Sequence, residues 1–202
     1  METYHSTIQK SLHLYPVSNY TIGTKTPKVQ KYTTANERFQ QMKDKYAIEG
    51  VRRSVEAIVL VQEHNHPHIL LLQVSADEWR LPGGRLRPGE GEVEGLQRKL
   101  VNKLAPAAGP PVNWEISECA GVWWRPNFES HVYPYLPPHI TKPKECTKIY
   151  VVQMPERCTL AVPKNFKLLA VPLFELYEKA QRYGPSIAAI PQLLSRFNIS
   201  MT

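Results

Sequence analysis

The sequence predicts an α/β fold in which a sheet is layered between helices. Three observations predict it. The segments 52–63 and 68–74 are dominated by Val, Ile and Leu, with the length and β-branched content of buried strands. Segments with apolar residues at helical spacing lie before, between and after the strand-like runs. Across 202 residues the chain is 42% hydrophobic and 21% charged, an ordinary globular balance with enough apolar side chain for one domain core.

Taken in order, residues 1–10 are polar and expected to fray. Residues 11–32 read as extended, with Leu12, Leu14, Tyr15 and Tyr20 set among polar residues, and form an N-terminal extension over 1–32 that packs on the main domain, 33–202. Thr34 has the chemistry of an N-cap for a helix over 34–47, with Phe39, Met42 and Tyr46 on its apolar side. The strand over 52–63 turns through Glu63-His-Asn-His-Pro-His68 into the strand over 68–74. With no carboxylate or cysteine to complete a metal set, these histidines read as a solvated hairpin turn. A helix follows over 91–104, with Val93, Leu96, Leu100 and Leu104 as its buried stripe. Further strands are expected near 114–124, 147–154 and 167–171, and helices near 172–182 and 186–196. A sheet with helices around it is an α/β/α sandwich.

Composition narrows the function classes. Lys plus Arg number 25 against 18 Asp plus Glu, a net charge of +7 that favours a polyanionic partner without naming it. No run approaches the ~20 apolar residues of a membrane span. The opening Met-Glu-Thr-Tyr-His does not read as a signal peptide. Cys119, Cys146 and Cys158, odd in number and without metal-ligand spacing, read as free thiols. The 18 prolines gather between elements and predict long ordered loops.

The most specific motif lies between Gly84 and Lys103. Gly84, then five residues, Glu90, then seven residues, Arg98 and Leu100 resemble a nudix box, whose pattern ends Arg-Glu-aliphatic-x-Glu-Glu. The three glutamate positions hold Lys99, Asn102 and Lys103. On a helix these lie on one face. Pyrophosphate hydrolysis needs Mg²⁺ held by carboxylates. A divalent ion ~6 Å from one Lys at an effective dielectric of ~20 is repelled by about 5 kcal/mol. Glu90, Glu92 and Glu94 remain, the last two suiting a charged first helical turn better than metal ligation. The box therefore predicts a non-enzymatic nudix fold with no catalytic residue, metal or cofactor.

A closer resemblance rests on long strings: LYPVSNYTIGTK (14–25), LPGGRLRPGEGEVEGL (81–96), WWRPNFE (123–129), YPYLPPHITKPKE (133–145), AVPKNFKL (161–168) and PQLLSRFNIS (191–200). Over residues 12–200 the chain resembles the small nudix subunits, of the 25 kDa class, of cleavage factor I in eukaryotic pre-mRNA 3′-end processing. The resemblance implies a catalytically silent nuclear homodimer. Such a dimer binds UGUA elements of single-stranded pre-mRNA and recruits a larger subunit carrying an RNA-recognition motif for cleavage and polyadenylation. It also implies an RNA-binding set. Arg38 contacts RNA, Glu56 reads the first uracil, and Trp79 stands beside the bases with Leu81 beyond it. A carboxylate accepts from an imide N–H, Arg bonds a base edge, and an indole stacks on any base. Two departures stand out. Glu78 replaces a second aromatic of the animal members, and Gln30 stands where an acidic base-reader is expected. Both point to a looser preference than UGUA.

Each residue also has a structural reading. Arg38 suits a surface ion pair, Glu56 a partnership with Arg52 or Arg53, and Trp79 a place in the core. Arg52 and Arg53 suit either phosphate steering or a dimer seam. Strand alternation splits Trp123 and Trp124 between core and surface. Tyr133 and Tyr135 suit either docking of the larger subunit or loop packing. Lys142, Lys144 and Lys148 suit a solvated face, and Lys99 and Lys103 a place for RNA phosphate or a nucleotide. Two other functions compete with RNA capture: a hydrolase of dinucleoside polyphosphates or caps using Glu90, Glu92 or Glu94, and a scaffold without RNA specificity of its own.

Overall fold

A computed structural model describes residues 11–29, 34–110 and 112–202. Strand β1 (Ser11–Leu14) leads through a single 3₁₀ turn (Val17–Asn19) into β2 (Tyr20–Lys25). Helix α1 (Ala35–Glu49) precedes the hairpin β3 (Arg52–Glu63) and β4 (His66–Ser75). Two short strands, β5 (Glu78–Arg80) and β6 (Gly83–Arg85), lead to α2 (Glu92–Leu104). Then come β7 (Glu115–Arg125), β8 (Glu145–Gln153), β9 (Cys158–Pro163) and β10 (Lys167–Pro172). Four short helices follow: α3 (Leu173–Leu176), α4 (Ala180–Tyr183), α5 (Pro185–Ala188) and α6 (Ile190–Leu194), before β11 (Asn198–Met201).

The main sheet runs β10-β4-β3-β8-β7, with β5 attached to β4 and β6 to β3. β3 and β8 are parallel, and the other pairs are antiparallel. Alternation along β3 divides the core. Val55, Ala57, Val59 and Val61 pack with Leu96, Leu100 and Leu104 of α2 on one face. Ile58 and Leu60 pack with Leu173, Leu176, Ile187 and Leu194 from the C-terminal helices on the other. Helices thus cover both faces, which is the α/β/α sandwich the sequence predicts. Each fully buried leucine of α2 contributes about 1.5–3 kcal/mol.

The α2 stripe differs from expectation at its start. Val93 is exposed, and Gly95 is buried in its place. A Cβ on Gly95 would sit 2.1 Å from Leu86 Cδ2 and 3.1 Å from the Glu90 carboxyl carbon, so the helix lies against the preceding loop there without a side chain between. The second strand begins at His66, earlier than expected. His64 and Asn65 both adopt positive φ, 49° and 59°, as a two-residue hairpin turn matched to strand twist requires. His68 is buried rather than solvated, its Nδ1 2.9 Å from the His66 carbonyl oxygen.

The C-terminal helices are more broken than the sequence suggests. Glu178 and Gly184 have positive φ, 59° and 87°, and Pro185 and Pro191 lack the N–H that continuation needs. The extended N-terminal segment divides between two parallel pairings, β1 with β11 and β2 with β9. Neither β9 nor β11 is expected from the sequence.

Helix α1 begins as predicted. Thr34 accepts from the Glu37 N–H at 3.2 Å, and Glu37 reaches back to the Thr34 N–H, a capping box. The helix buries only Met42. Rings and cations hold the rest. Tyr46 meets Phe128 edge-on at 5.6 Å, the Lys144 ammonium stands 4.5 Å from the Tyr46 ring centre, and the Arg125 guanidinium 5.9 Å from that of Phe39. Lys144 is therefore packed on aromatic faces rather than solvated.

Gly83 fixes the approach of β6 to β3. A Cβ there would lie 2.2 Å from the Val55 carbonyl oxygen and 2.7 Å from Glu56 Cα, both backbone atoms that cannot turn aside. Gly83→Ala is expected to cost about 1–3 kcal/mol in urea unfolding. Gly23→Ala, where the nearest atom is 3.8 Å away, should stay within about 0.5 kcal/mol of wild type.

Candidate functional site

At the start of β3 the alternation Arg52, Ser54, Glu56 places three polar side chains on one face of an otherwise apolar strand. They floor a groove of about 280 Å³, walled by Arg38, Phe39 and Met42 of α1, by Arg80 of β5, and by Trp123 and Arg125 of β7. Glu145 and Thr147 of β8 complete the floor. Another concavity, of about 350 Å³, lies beyond the C-terminal end of α2 beside Pro106, Gly109 and Arg157, away from these charged side chains.

Glu145 organises the floor. Its buried carboxylate accepts from Ser54 Oγ at 2.9 Å and from Arg125 Nε at 3.0 Å, and lies 3.1 Å from Arg52 Nε. The Arg52 contact is ionic only, because its Nε lacks hydrogen-bond alignment. Arg53, on the opposite face of the strand, donates to Glu92 at 3.0 Å. Glu92 also receives Lys148 and the Tyr150 hydroxyl. Burial would raise its pKa, but these three donors overcome that and hold it at about 2. Glu90 is likewise held at about 2, chiefly by a two-point contact with Arg98, 2.6 Å at each oxygen, and then by the Arg87 N–H at 2.8 Å. The box carboxylates Glu90 and Glu92 are thus tied to protein donors, and Lys148 is an ion-pair partner rather than part of a solvated face.

Both arginines that the sequence offers to Glu56 are therefore claimed by other carboxylates. Among the described residues, the Glu56 carboxylate makes no hydrogen bond or salt bridge. Burial in the groove raises its pKa to about 7, with the Glu145 charge adding to the shift and Arg80 and Arg52 opposing it. A buried carboxyl group that lacks a protein partner is costly, and a ligand donor removes that cost.

Arg38 and Arg80 face one another across the groove through Glu78. Arg38 donates to Glu78 Oε1 at 3.3 Å, and Arg80 Nε donates to the same oxygen at 2.9 Å. These side chains are substantially exposed, so the pairs are weak and readily exchanged. The surface ion pair expected for Arg38 is present, and it stands at the mouth of the groove.

Trp79 does not line the groove. Alternation along β5 turns it away from Glu78 and Arg80, and it packs half-buried against Tyr183, ring centres 5.2 Å apart, with Arg182 5.7 Å from its ring centre. Leu81 is a core residue, 4% exposed, and does not line the groove. Gln30 lies outside the described residues. Trp123 is buried and Trp124 half-exposed, as alternation requires. Tyr133 and Tyr135 are exposed on the loop between β7 and β8, their rings 5.8 Å apart, with the Tyr133 backbone paired to Trp124. The sequence reading missed Arg80, Arg125, Ser54 and Glu145. Alternation from Arg52 to Glu56 points to Ser54, whereas Arg80, Arg125 and Glu145 lie on other strands and reach the groove through strand pairing.

The nudix family model, described as nucleotide hydrolase, matches residues 10–197. Pre-mRNA cleavage factor Im 25 kDa subunit 2 of Arabidopsis thaliana is 58% identical, over 94% of this chain and 96% of that protein. Subunit 1 from the same plant is 50% identical, over 93% and 85%. Cleavage and polyadenylation specificity factor subunit 5 of Dictyostelium discoideum is 48% identical, over 93% and 94%. With a nudix box, a nudix sandwich and relatives that match nearly end to end, the chain belongs to the nudix family, in the group of the cleavage factor Im 25 kDa subunits.

Proposed function

We propose that the groove binds single-stranded pre-mRNA at UGUA-type elements without hydrolysing it, as part of nuclear 3′-end processing. The observation that carries this reading is Glu56: a half-buried carboxyl group without a protein hydrogen bond, ringed by Arg38, Arg52 and Arg80. A carboxylate that accepts from a base N–H, beside arginines that bond base edges or phosphate, is the chemistry of single-strand readout. The names of the relatives supply pre-mRNA as the setting. The sequence resemblance supplies the element.

Hydrolysis is disfavoured by residues rather than by fold. Lys99 and Lys103 present cations, and Asn102 a neutral amide, where the box calls for carboxylates, and Glu90 and Glu92 are engaged by Arg98, Arg53, Lys148 and Tyr150. Mg²⁺ held there would have to displace those donors against the lysine charge. Trp79 has its ring edge on Tyr183 and a guanidinium over it, so the ring is engaged by protein groups beside the groove and is not a free stacking platform. Leu81, a core residue, would serve this reading through backbone groups alone. Tyr133 and Tyr135, exposed side by side, are the surface on which a larger subunit with an RNA-recognition motif would dock, and the protein would act as a homodimer whose two sites gain avidity on one RNA.

The test is a titration of the protein into labelled UGUA RNA and into the same RNA with guanine replaced, at one salt concentration. A preference of about tenfold, 1.4 kcal/mol, is expected for the guanine-containing strand, and equal binding would sink the reading. The same titration tests Glu56→Gln, for which a loss of about tenfold or more is expected. The pH profile gives a second readout. Because the Glu56 pKa is raised to about 7, its protonated form dominates in the groove below that value. An accepting carboxylate therefore strengthens RNA binding as pH rises through about 7, and Glu56→Gln should flatten that rise. Its own effect on stability has the opposite sign. A raised pKa favours the fold below the unfolded value near 4.5, and that contribution is lost as pH passes about 7.

Glu78→Gln should free Arg38 and Arg80 from their shared carboxylate. Removing an anion from the mouth of the groove is expected to raise RNA affinity about three- to tenfold at low salt, with a smaller gain at high salt. Isothermal titration at two ionic strengths measures it, and a loss of affinity would show that Glu78 holds the arginines in place for the ligand.

A further inference from the structure

Most basic side chains near the groove are neutralised by a carboxylate, as Arg52 and Arg125 are by Glu145, and Arg53 and Lys148 by Glu92. Lys28, Lys99 and Lys103 are the exception. Among the described residues, none of the three forms an ion pair. Their neighbour Lys25 is committed elsewhere, its ammonium donating to the carbonyls of Asn102 at 2.9 Å and Ala105 at 2.8 Å, where it closes the C-terminal end of α2.

The three lysines are held together. Asn165 clamps the Lys28 backbone, accepting from its N–H at 2.9 Å and donating to its carbonyl at 2.8 Å. The Lys99 stem runs across Gly84, its Cε and Nζ both 3.5 Å from where a Cβ would be. One turn on, Lys103 extends past the Phe166 ring, 5.8 Å from its centre, and meets the Lys28 ammonium. Burial and mutual repulsion loosen the protons of Lys99 and Lys103, the latter to about 7. Cations packed this closely are stabilised by an anion that bridges them.

The cluster adjoins the groove. Lys99 lies over Gly84, whose strand partner Val55 is next to Glu56 of the groove floor, and the charges of Arg52 and Arg80 oppose the protons of Lys99 and Lys103. The strand β6 lies between the two sites. Building on the reading of the groove as an RNA site, we propose that Lys28, Lys99 and Lys103 form a phosphate track that carries the RNA backbone beyond the bases read in the groove. Lys28 is exposed, with Lys99 and Lys103 partly buried. Ammonium groups gathered in this way suit the phosphodiester backbone of a strand, and two of the positions that would hold Mg²⁺ in a hydrolase supply cations to a ligand that stays intact.

The test compares a UGUA tetranucleotide with UGUA carrying several flanking nucleotides on each side, for wild type and for the double variant Lys99→Gln, Lys103→Gln. Urea unfolding confirms that the variant is folded. Expected are unchanged tetranucleotide affinity and guanine preference, a loss of about tenfold for the long RNA, and a log–log salt slope shallower by about one to two units for that RNA alone. Unchanged affinity for the long RNA, or equal losses for both strands, would overturn the track. Inorganic tripolyphosphate separates a strand from a small anion. If it binds wild type but not the variant, while long RNA binds both alike, the cluster is a small-anion site and the proposal fails. Glu56→Gln keeps the two readings apart. It should weaken tetranucleotide binding by about tenfold yet leave intact the affinity gained on lengthening the strand. Failure of the groove reading then shows as lost preference in wild type, and failure of the track as the absence of that length-dependent gain.

Discussion

The allotment of Glu145 decides what the groove can bind. A buried carboxylate must be satisfied, and this one takes Ser54, Arg125 and the charge of Arg52. It sits beside Arg52 in register because β3 and β8 run parallel there. Having claimed the two arginines nearest the floor, it leaves Glu56 two residues along the same face without a protein donor. Were Arg52 to pair with Glu56 instead, the floor would be a closed salt bridge, with Glu145 still held by Ser54 and Arg125. The competition between two carboxylates for one set of guanidinium groups is thus what leaves an open carboxyl group at the strand end.

The sheet keeps the groove apart from the lysines of the box helix. Odd positions of β3 are packed beneath α2, and even positions at its start face α1 and the groove. Gly83 lets β6 press against β3 at backbone contact distance, directly after β5, which carries Arg80. Charge is distributed by the same geometry. Carboxylates and arginines cancel on the floor, a shared Glu78 weakly ties the mouth, and ammonium groups accumulate along α2.

Much of this was legible in the sequence, and the exceptions have physical causes. The hairpin, the box helix and the capped first helix follow from local periodicity and capping chemistry. The short strands β9 and β11 do not, because each exists through pairing with a strand far away in the chain. Val93 satisfied the helical spacing yet lost its place to Gly95, since contact with Leu86 and Glu90 is set by the loop and not by the helix. For the site, the positions of Arg38 and Glu56 were readable, but their availability was not. That depended on which carboxylate each arginine of β3 and β7 would meet, a property of strand register. Trp79 shows the reverse. The resemblance set its ring beside the bases, whereas Tyr183 and Arg182, a hundred residues on, pack against it.

Helix α1 brings only Met42 into the core and leans otherwise on Phe128, Lys144 and Arg125, which belong to β7 and to the loop that also bears Tyr133 and Tyr135. One wall of the groove and the base of that loop therefore share a single set of contacts. Thermodynamic linkage makes such sharing reciprocal: whatever free energy the loop lends to the placement of Arg38, a ligand on Arg38 returns to the placement of the loop. Because the shared contacts are cation–ring contacts worth about 0.5–2 kcal/mol each, the coupling they transmit has the size of a modulator rather than a lock.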